Sequence, residues 1–179
     1  MICGNTLADD RERIRQIVNK EDNCLLVASY GTCSTGINIK NIKIIIGGKT
    51  RAESAYNALK SIKENNFKNV IIHDAARPNF SLKLLKKLLD GLKTNDCVIP
   101  AIQTTDSIKQ KILDIVKNLK REDIYLIQTP QAFNYKKLFE LQKNKDEEVT
   151  DDANLFVRAG KKIKIIKGET TNNKITINS

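Results

Sequence analysis

Several features that would define a class of protein are missing from this sequence of 179 residues. No apolar run approaches the roughly 18 residues that cross a bilayer, so we do not expect a membrane-spanning protein. The four cysteines, Cys3, Cys24, Cys33 and Cys97, form no CxxC pair and accompany a single histidine, so neither a zinc site nor a disulfide framework is indicated. We expect no signal peptide, reduced thiols and a cytoplasmic location.

Acidic residues are also in short supply, and the net charge is +10. The excess is mostly lysine scattered over presumed helix faces, as at Lys83, Lys86, Lys87, Lys136 and Lys137. Aromatic residues make up only 5% of the sequence and are not interleaved with these lysines to stack bases. The charge therefore favours a polyanionic small-molecule substrate over a nucleic acid.

The residues that are present fit a globular protein, with 40% hydrophobic and 29% charged residues. Apolar strand-like runs alternate with amphipathic helical segments along the chain, which predicts an α/β fold with a mostly parallel sheet covered by helices. Residues 102–122 are basic and alternate only loosely, so we expect an extended β-hairpin arm there, outside the core.

One stretch combines a buried strand with polar chemistry. Val70–Ile72 is a short apolar run, and the sequence His-Asp-Ala-Ala-Arg-Pro follows it. Ligands of open α/β sheets bind beyond the carboxyl ends of strands, where Asp74 would lie. A carboxylate beside Arg77 suits a cation and a phosphate there. The alternative is a buried Asp74 paired with Arg77 in a structural turn.

A second candidate is the glycine turn Gly47-Gly48 followed by Lys, Thr, Arg and Ser at the start of a predicted helix. Free backbone N–H groups and basic side chains at a helix N-terminus bind anions. The alternative is an ordinary capped helix with solvated charges.

The N-terminal segment resembles a different kind of protein. The sequences ICGNT and LLVASYGTCSTGINIKNI are similar to the second RecA-like lobe of superfamily 2 helicases, around their motif V. The chain has no Walker A sequence, DExx box or arginine motif, so we do not expect ATP hydrolysis. The resemblance implies a helicase-like segment over residues 1–41 and a second unit over residues 42–179.

The second unit resembles another family. The motifs GGKTRAES, HDAARP, TDSIK, QTPQAF, VTDDA and NNKIT follow one another in the order found in 2-C-methyl-D-erythritol 4-phosphate cytidylyltransferases of the non-mevalonate isoprenoid pathway. The resemblance implies a Rossmann-like nucleotidyltransferase fold, a three-layer sheet that is incomplete here, with a protruding β-arm at about residues 103–121. It also implies transfer of CMP from CTP to a sugar-alcohol phosphate, with release of pyrophosphate.

The resemblance further implies a role for particular residues. Asp74 matches the ligand of a Mg²⁺ ion that bridges the phosphates. Arg121 and Lys174 match the catalytic pair that holds the acceptor phosphate for attack. The positions around the cytidine are Gly48, Arg51, Ser54 and Ala75. The hydroxyl contacts to the acceptor are Ser107, Thr129 and Thr150. The family forms homodimers through the arm, so Arg121 would act in the partner's site.

One element of the family pattern is not in the sequence: a glycine-rich loop of the AAGxGxR type, followed by a PKQ lysine. That loop wraps the triphosphate, so its absence predicts impaired turnover. Two alternatives stay open. The acceptor could be ribitol 5-phosphate, which close relatives use, or the chain could be a non-catalytic chimeric fragment with a helicase-like, nucleic-acid-associated N-terminus.

Overall fold

The structure is a computed structural model that describes residues 24–28, 50–63, 66–74, 76–143 and 151–175. The helices in this part of the chain are α1 (Arg51–Ser61), α2 (Leu82–Gly91), α3 (Tyr135–Gln142) and α4 (Ala153–Arg158). The strands are β1 (Cys24–Ala28), β2 (Asn69–His73), β3 (Cys97–Gln103), β4 (Ile108–Ile112), β5 (Ile115–Leu119), β6 (Tyr125–Ile127), β7 (Gln131–Asn134) and β8 (Lys164–Lys167).

The central sheet has the strand order β1-β2-β7-β3-β6, and β8 pairs with β3. Strand pairs β1–β2 and β3–β8 are parallel, whereas β7 runs antiparallel to β2 and β3, and β6 runs antiparallel to β3. The α/β fold class is therefore confirmed, but the prediction of a mostly parallel sheet is wrong. Hydrophobic periodicity predicts that a segment is a strand and does not specify its direction.

Helices cover both faces of the sheet. Alternate residues of a strand point to opposite faces, so the consecutive apolar residues of β2 need a packing partner on each side. Val70 and Ile72 pack with Leu59, Leu138 and Phe156 of helices α1, α3 and α4 on one face. On the other face, Ile71 packs with the leucines of α2, which are Leu84, Leu85 and Leu88. This gives the predicted three layers, with the sheet that contains the buried strand β2 as the middle layer.

Side-chain caps and a glycine fix several of the helix ends. Thr50 Oγ1 accepts a hydrogen bond from the Glu53 N–H at the start of α1, at 3.1 Å. Ser81 caps α2 in the same way, since its Oγ accepts from the Leu84 N–H at 3.1 Å. Gly160 follows α4 with a φ of +62°, a conformation that glycine adopts without steric cost.

The arm is an antiparallel β-hairpin of β4 and β5 that forms a separate two-stranded sheet. Cross-strand pairs Ile108–Leu119 and Ile112–Ile115 place apolar side chains on one face of it, with the polar pair Gln110–Lys117 between them. Ile112 and Ile115 are 52% and 62% exposed, so more than half of each side chain is uncovered within the described part of this chain. None of the described helices is both long enough and apolar enough to cross a membrane.

Candidate active site

A polar cavity of about 180 Å³ opens at the carboxyl end of β2, where Asp74 follows the strand. This is the edge of the sheet at which α/β proteins bind ligands. The cavity collects side chains from five separate parts of the chain, and most of them are charged or polar. They are Arg51, Asp74, Arg77, Ile127, Thr129, Gln131, Asp151 and Lys174.

The Asp74 carboxylate lies between two cations. Lys174 Nζ is 3.4 Å from Asp74 Oδ2, and Arg51 Nε is 3.8 Å from Asp74 Oδ1. The side chain of Asp74 is 22% exposed, so it is accessible from the cavity. Its ionic partners are thus Lys174 and Arg51, and the alternative of a structural Asp74–Arg77 side-chain pair is not borne out.

Thr129 fixes the backbone of Asp74 by a hydrogen bond. It is the residue before Pro130, and the Thr129–Pro130 peptide bond is cis. Its Oγ1 accepts a hydrogen bond from the Asp74 N–H at 3.0 Å and lies 3.1 Å from His73 Nδ1. Burial lowers the pKa of His73 to about 4, so the imidazole is neutral at neutral pH. Nδ1 of neutral His73 can therefore accept a hydrogen bond from the Thr129 hydroxyl. The Thr129 hydroxyl is then committed to fixing the backbone that carries Asp74.

Lys174 is brought to the cavity by a C-terminal segment that is anchored at several backbone positions. Arg77 Nη1 donates to the Asn172 carbonyl at 2.9 Å, and Asn172 Nδ2 donates to the Thr129 carbonyl at 2.8 Å. The Ile175 N–H donates to the Ala76 carbonyl at 2.8 Å. Lys174 therefore lies between two anchored residues, and Arg77 is a clamp for this segment.

The beginning of the same segment is held to helix α2 and to β3. Gln128 Nε2 donates to the Glu169 carbonyl at 2.8 Å, and the Glu169 N–H donates back to Gln128 Oε1 at 3.1 Å. The Glu169 carboxylate accepts hydrogen bonds from the N–H and the hydroxyl of Ser81. At Gly168 a Cβ atom would lie 3.1 Å from the backbone of Ala101, so only glycine fits without displacement.

Arg51 also contacts a carboxylate behind the cavity. Its Nη2 lies 2.8 Å from Asp152 Oδ2, and Asp152 is only 2% exposed. The other oxygen, Asp152 Oδ1, accepts a hydrogen bond from Gln142 Nε2 at 3.1 Å. Burial raises the pKa of Asp152, and the positive charge of Arg51 opposes that shift.

Four of the predicted site residues therefore come together in one cavity: Arg51, Asp74, Thr129 and Lys174. Ser54 does not line it, because its hydroxyl donates to the Thr50 carbonyl at 2.9 Å. Ser107 and Arg121 also lie outside it and are exposed at the base of the arm, where Arg121 Nη1 donates to the Thr105 carbonyl at 3.2 Å. The predicted positions Gly48, Ala75 and Thr150 lie outside the described residues.

Sequence reasoning missed several residues that shape the cavity. Asp151 and Asp152 belong to the VTDDA motif, in which the family resemblance implied a role for Thr150 alone. Asp152 does occupy the position before α4. Its pairing with Arg51 depends on how α1 and α4 pack, which no local pattern specifies. One signal could have indicated Asp152. Two adjacent carboxylates at the start of an amphipathic helix point in different directions, so one of them is expected to face the core and to need a cationic partner.

The residues present fit the Mg²⁺ ion that the resemblance implies. Mg²⁺ commonly takes one or two protein carboxylates and completes its coordination with water and substrate phosphates. Asp74 and Asp151 both line the cavity and offer hard oxygen ligands. The described residues contain no group of three or more His, Cys, Asp or Glu side chains that could enclose a metal alone. The chemistry of the site thus suits an ion shared with phosphates.

Comparison with known proteins gives the family. The family model described as "IspD: 2-C-methyl-D-erythritol 4-phosphate cytidylyltransferase" matches residues 7–179. The chain belongs to this family. A bifunctional enzyme IspD/IspF of Pelagibacter ubique is 78% identical over 166 residues, which are 92% of this chain and 45% of that protein.

Other relatives agree with this assignment to the IspD family. The 2-C-methyl-D-erythritol 4-phosphate cytidylyltransferase of Thermosipho melanesiensis is 38% identical over 76% of this chain and 63% of its own length. The crystal structure of 4-diphosphocytidyl-2C-methyl-D-erythritol synthase from Anaerococcus prevotii superimposes with a TM-score of 0.72 at 30% identity, covering 95% of this chain and 70% of that one. The nucleotidyltransferase fold predicted from the resemblance is thus confirmed.

Two further facts qualify the match to the IspD family. The chain spans about half the length of its Pelagibacter relative and less than two thirds of the Thermosipho relative. The family match starts at residue 7, so it includes most of the segment that resembled a helicase, and the comparisons do not support that resemblance. The sequence LLVASYGTCSTGINIKNI was misleading because a single short motif match has a high false-positive rate. The proposed division at residues 41 and 42 stays a prediction.

Proposed function

We propose that this chain is a cytidylyltransferase that transfers CMP from CTP to 2-C-methyl-D-erythritol 4-phosphate and releases pyrophosphate, as the names of its relatives indicate. The observation that carries the proposal is the carboxylate of Asp74 facing a cavity between Lys174 and Arg51. A reaction between two polyanions requires cations that neutralise phosphate and a carboxylate that holds a metal, and the cavity contains both.

In the reaction, a phosphate oxygen of the acceptor attacks the α-phosphorus of CTP and pyrophosphate leaves on the opposite side. Lys174 neutralises and orients the acceptor phosphate, since the bonds of Asn172 and Ile175 anchor its backbone at the cavity and its Nζ lies 3.4 Å from Asp74 Oδ2. Asp74 holds Mg²⁺, which when bound neutralises charge on the triphosphate. Arg51 lies on the other side of Asp74 and contacts the nucleotide. Gly48 and Ala75 would add the further cytidine contacts that the family resemblance implies, whereas the Ser54 hydroxyl is bonded to the Thr50 carbonyl outside the cavity.

The acceptor side of the site extends to a second copy of the chain. Arg121 and Ser107 lie at the base of an arm whose apolar face is exposed, and neither lines the cavity of its own chain. A homodimer in which the arm reaches the partner would place both residues near that partner's Lys174. Thr150 would add a hydroxyl contact. We place this activity in the cytoplasm, because the cysteine pattern favours reduced thiols.

Ribitol 5-phosphate remains the second candidate acceptor, because Lys174 and Arg121 would bind the phosphate of either sugar alcohol. The test is to incubate the chain with CTP, Mg²⁺ and one acceptor at a time, and to identify the product by ³¹P NMR. A diphosphodiester signal with methylerythritol phosphate supports the proposal. The same signal only with ribitol phosphate would replace the acceptor, and free CMP or no product with either would contradict cytidylyl transfer.

A further inference from the structure

A buried carboxylate behind the cavity has no role in the scheme above. Asp152 lies immediately before α4, does not line the cavity and is 2% exposed. Its two oxygens contact Arg51, the first residue of α1, and Gln142, the last residue of α3. Three helices therefore meet at one carboxylate.

The contacts of Arg51 are unequal. Its Nη2 is 2.8 Å from Asp152, whereas its Nε is 3.8 Å from Asp74. The attraction between opposite charges is stronger at the shorter distance and at the buried carboxylate, so the ion pair with Asp152 is the main anchor of this guanidinium. The side chain of Arg51 is nevertheless 35% exposed and faces the cavity. The buried charge thus fixes a cation that remains accessible to a ligand.

Binding of a metal to Asp74 would leave Asp152 as the main restraint on the position of Arg51. A Mg²⁺ ion on Asp74 competes with Arg51 and Lys174 for the same carboxylate, because all three are cations. Once Asp74 is committed to the metal, Asp152 is the carboxylate that still restrains Arg51. Without it, the guanidinium would be free either to leave the cavity or to compete with the metal for Asp74.

We propose that Asp152 is a positioning residue that holds the Arg51 guanidinium in the cavity for a cytidine nucleotide and keeps it from competing with Mg²⁺ for Asp74. This inference rests on the proposed function, because it takes CTP as the ligand. Gln142 assists by binding the second oxygen, which orients the carboxylate toward Arg51.

The test measures binding of CTP with Mg²⁺ by calorimetry, which requires no turnover. Asp152→Asn keeps the shape of the side chain and an oxygen for Gln142, but it removes the charge that anchors Arg51. We expect this substitution to weaken CTP binding about tenfold, and to have little further effect when Arg51 is already alanine, because residues that act as one unit are not additive. Asp90→Asn, an exposed carboxylate on α2 that bonds Lys93, is the matched control.

Further variants and kinetics separate positioning from a merely structural role. Asp152→Glu keeps the charge and should bind CTP more tightly than Asp152→Asn does, even if both lower the melting temperature equally. In steady-state assays the KM for CTP and the Mg²⁺ requirement should rise, while the KM for the acceptor should not.

The outcomes distinguish this inference from the function on which it rests. CTP binding by Asp152→Asn that equals that of the unsubstituted chain would overturn the positioning role and leave the cytidylyltransferase proposal intact. An equal loss in the presence and absence of Arg51 would also overturn it. No binding of CTP by the unsubstituted chain would overturn both.

Discussion

Lys174 Nζ lies 3.4 Å from Asp74 Oδ2, although the two residues are 100 positions apart in the chain. One follows a central strand, and the other belongs to a C-terminal segment that Arg77 and Asn172 fix over the strand ends. Their proximity brings the proposed acceptor-binding cation to the proposed metal ligand. The following predictions test the consequences of this arrangement.

Replacement of Lys174 by methionine keeps most of the side-chain volume and removes the charge. We expect kcat/KM to fall by about 10²–10³, with the KM for the acceptor phosphate rising more than that for CTP, because the ammonium stabilises the attacking phosphate. Steady-state kinetics with each substrate varied in turn measures this. Lys86→Met, on the exposed face of α2, is the control. Equal effects of the two substitutions would contradict the assignment of Lys174.

Replacement of Thr129 by valine tests the support beneath Asp74. The change leaves the Asp74 N–H and His73 Nδ1 without their partner, which costs about 1–3 kcal/mol of unfolding free energy. Thr129→Ser keeps the hydroxyl and should retain most of that stability. Urea denaturation measures both variants, with Thr94→Val at an exposed position as the control. A Thr129→Val protein as stable as Thr129→Ser would show that the hydroxyl has no structural role.

Acidification should destabilise the fold through His73. Burial lowers the pKa of His73 from 6.5 to about 4, while the negative charge of Asp74 and a hydrogen bond to the Arg77 backbone oppose that shift. Because the folded-state pKa is the lower one, the stabilisation is fully present above about pH 6.5 and is lost as the pH falls toward 4. The loss should reach about 3 kcal/mol at the acid end.

The measurement is the free energy of unfolding as a function of pH in metal-free buffer, for the unsubstituted chain and for His73→Asn. Carboxylates titrate in the same range, so the informative quantity is the difference between the two curves. The curve of the variant should be flatter between about pH 6.5 and about pH 4. Parallel curves would mean that His73 is not the titrating group.

The apolar face of the arm should mediate dimerisation. Ile115→Lys places a charge on a side chain that is 62% exposed in the single chain and would be buried in the proposed dimer. We expect sedimentation equilibrium to show a shift toward monomer. Val157→Lys on α4, where the side chain is 61% exposed, should leave the association unchanged. A monomeric unsubstituted chain, or a dimer that tolerates Ile115→Lys, would contradict the role of the arm.

Local patterns predicted much of the fold and part of the site. The apolar run ending at Ile72 indicated β2, and the loosely alternating, basic residues 102–122 indicated the arm of β4 and β5, because strand burial and alternation depend on neighbouring residues. Asp74 was placed at a strand end by the same reasoning. These features required no knowledge of the tertiary structure.

Other features depend on packing between distant segments. Nothing near Arg51 in the sequence indicates that its strongest contact is Asp152, about a hundred positions later. The direction of β7 is likewise set by its antiparallel pairing with β2 and β3 and not by its composition. The Thr129 hydroxyl contacts both the Asp74 N–H and His73 Nδ1, and these two hydrogen bonds could be identified only from the three-dimensional positions of the three residues.

The central claim is that Asp74 holds the metal in a cytidylyl transfer reaction. The most direct measurement is pyrophosphate release from CTP and 2-C-methyl-D-erythritol 4-phosphate over a range of Mg²⁺ concentrations, comparing the unsubstituted chain with Asp74→Asn and with the control Asp90→Asn. We predict Mg²⁺-dependent release by the unsubstituted chain and by Asp90→Asn, and a rate at least about 100-fold lower for Asp74→Asn. Equal rates for all three proteins, or no pyrophosphate from any of them, would contradict the claim.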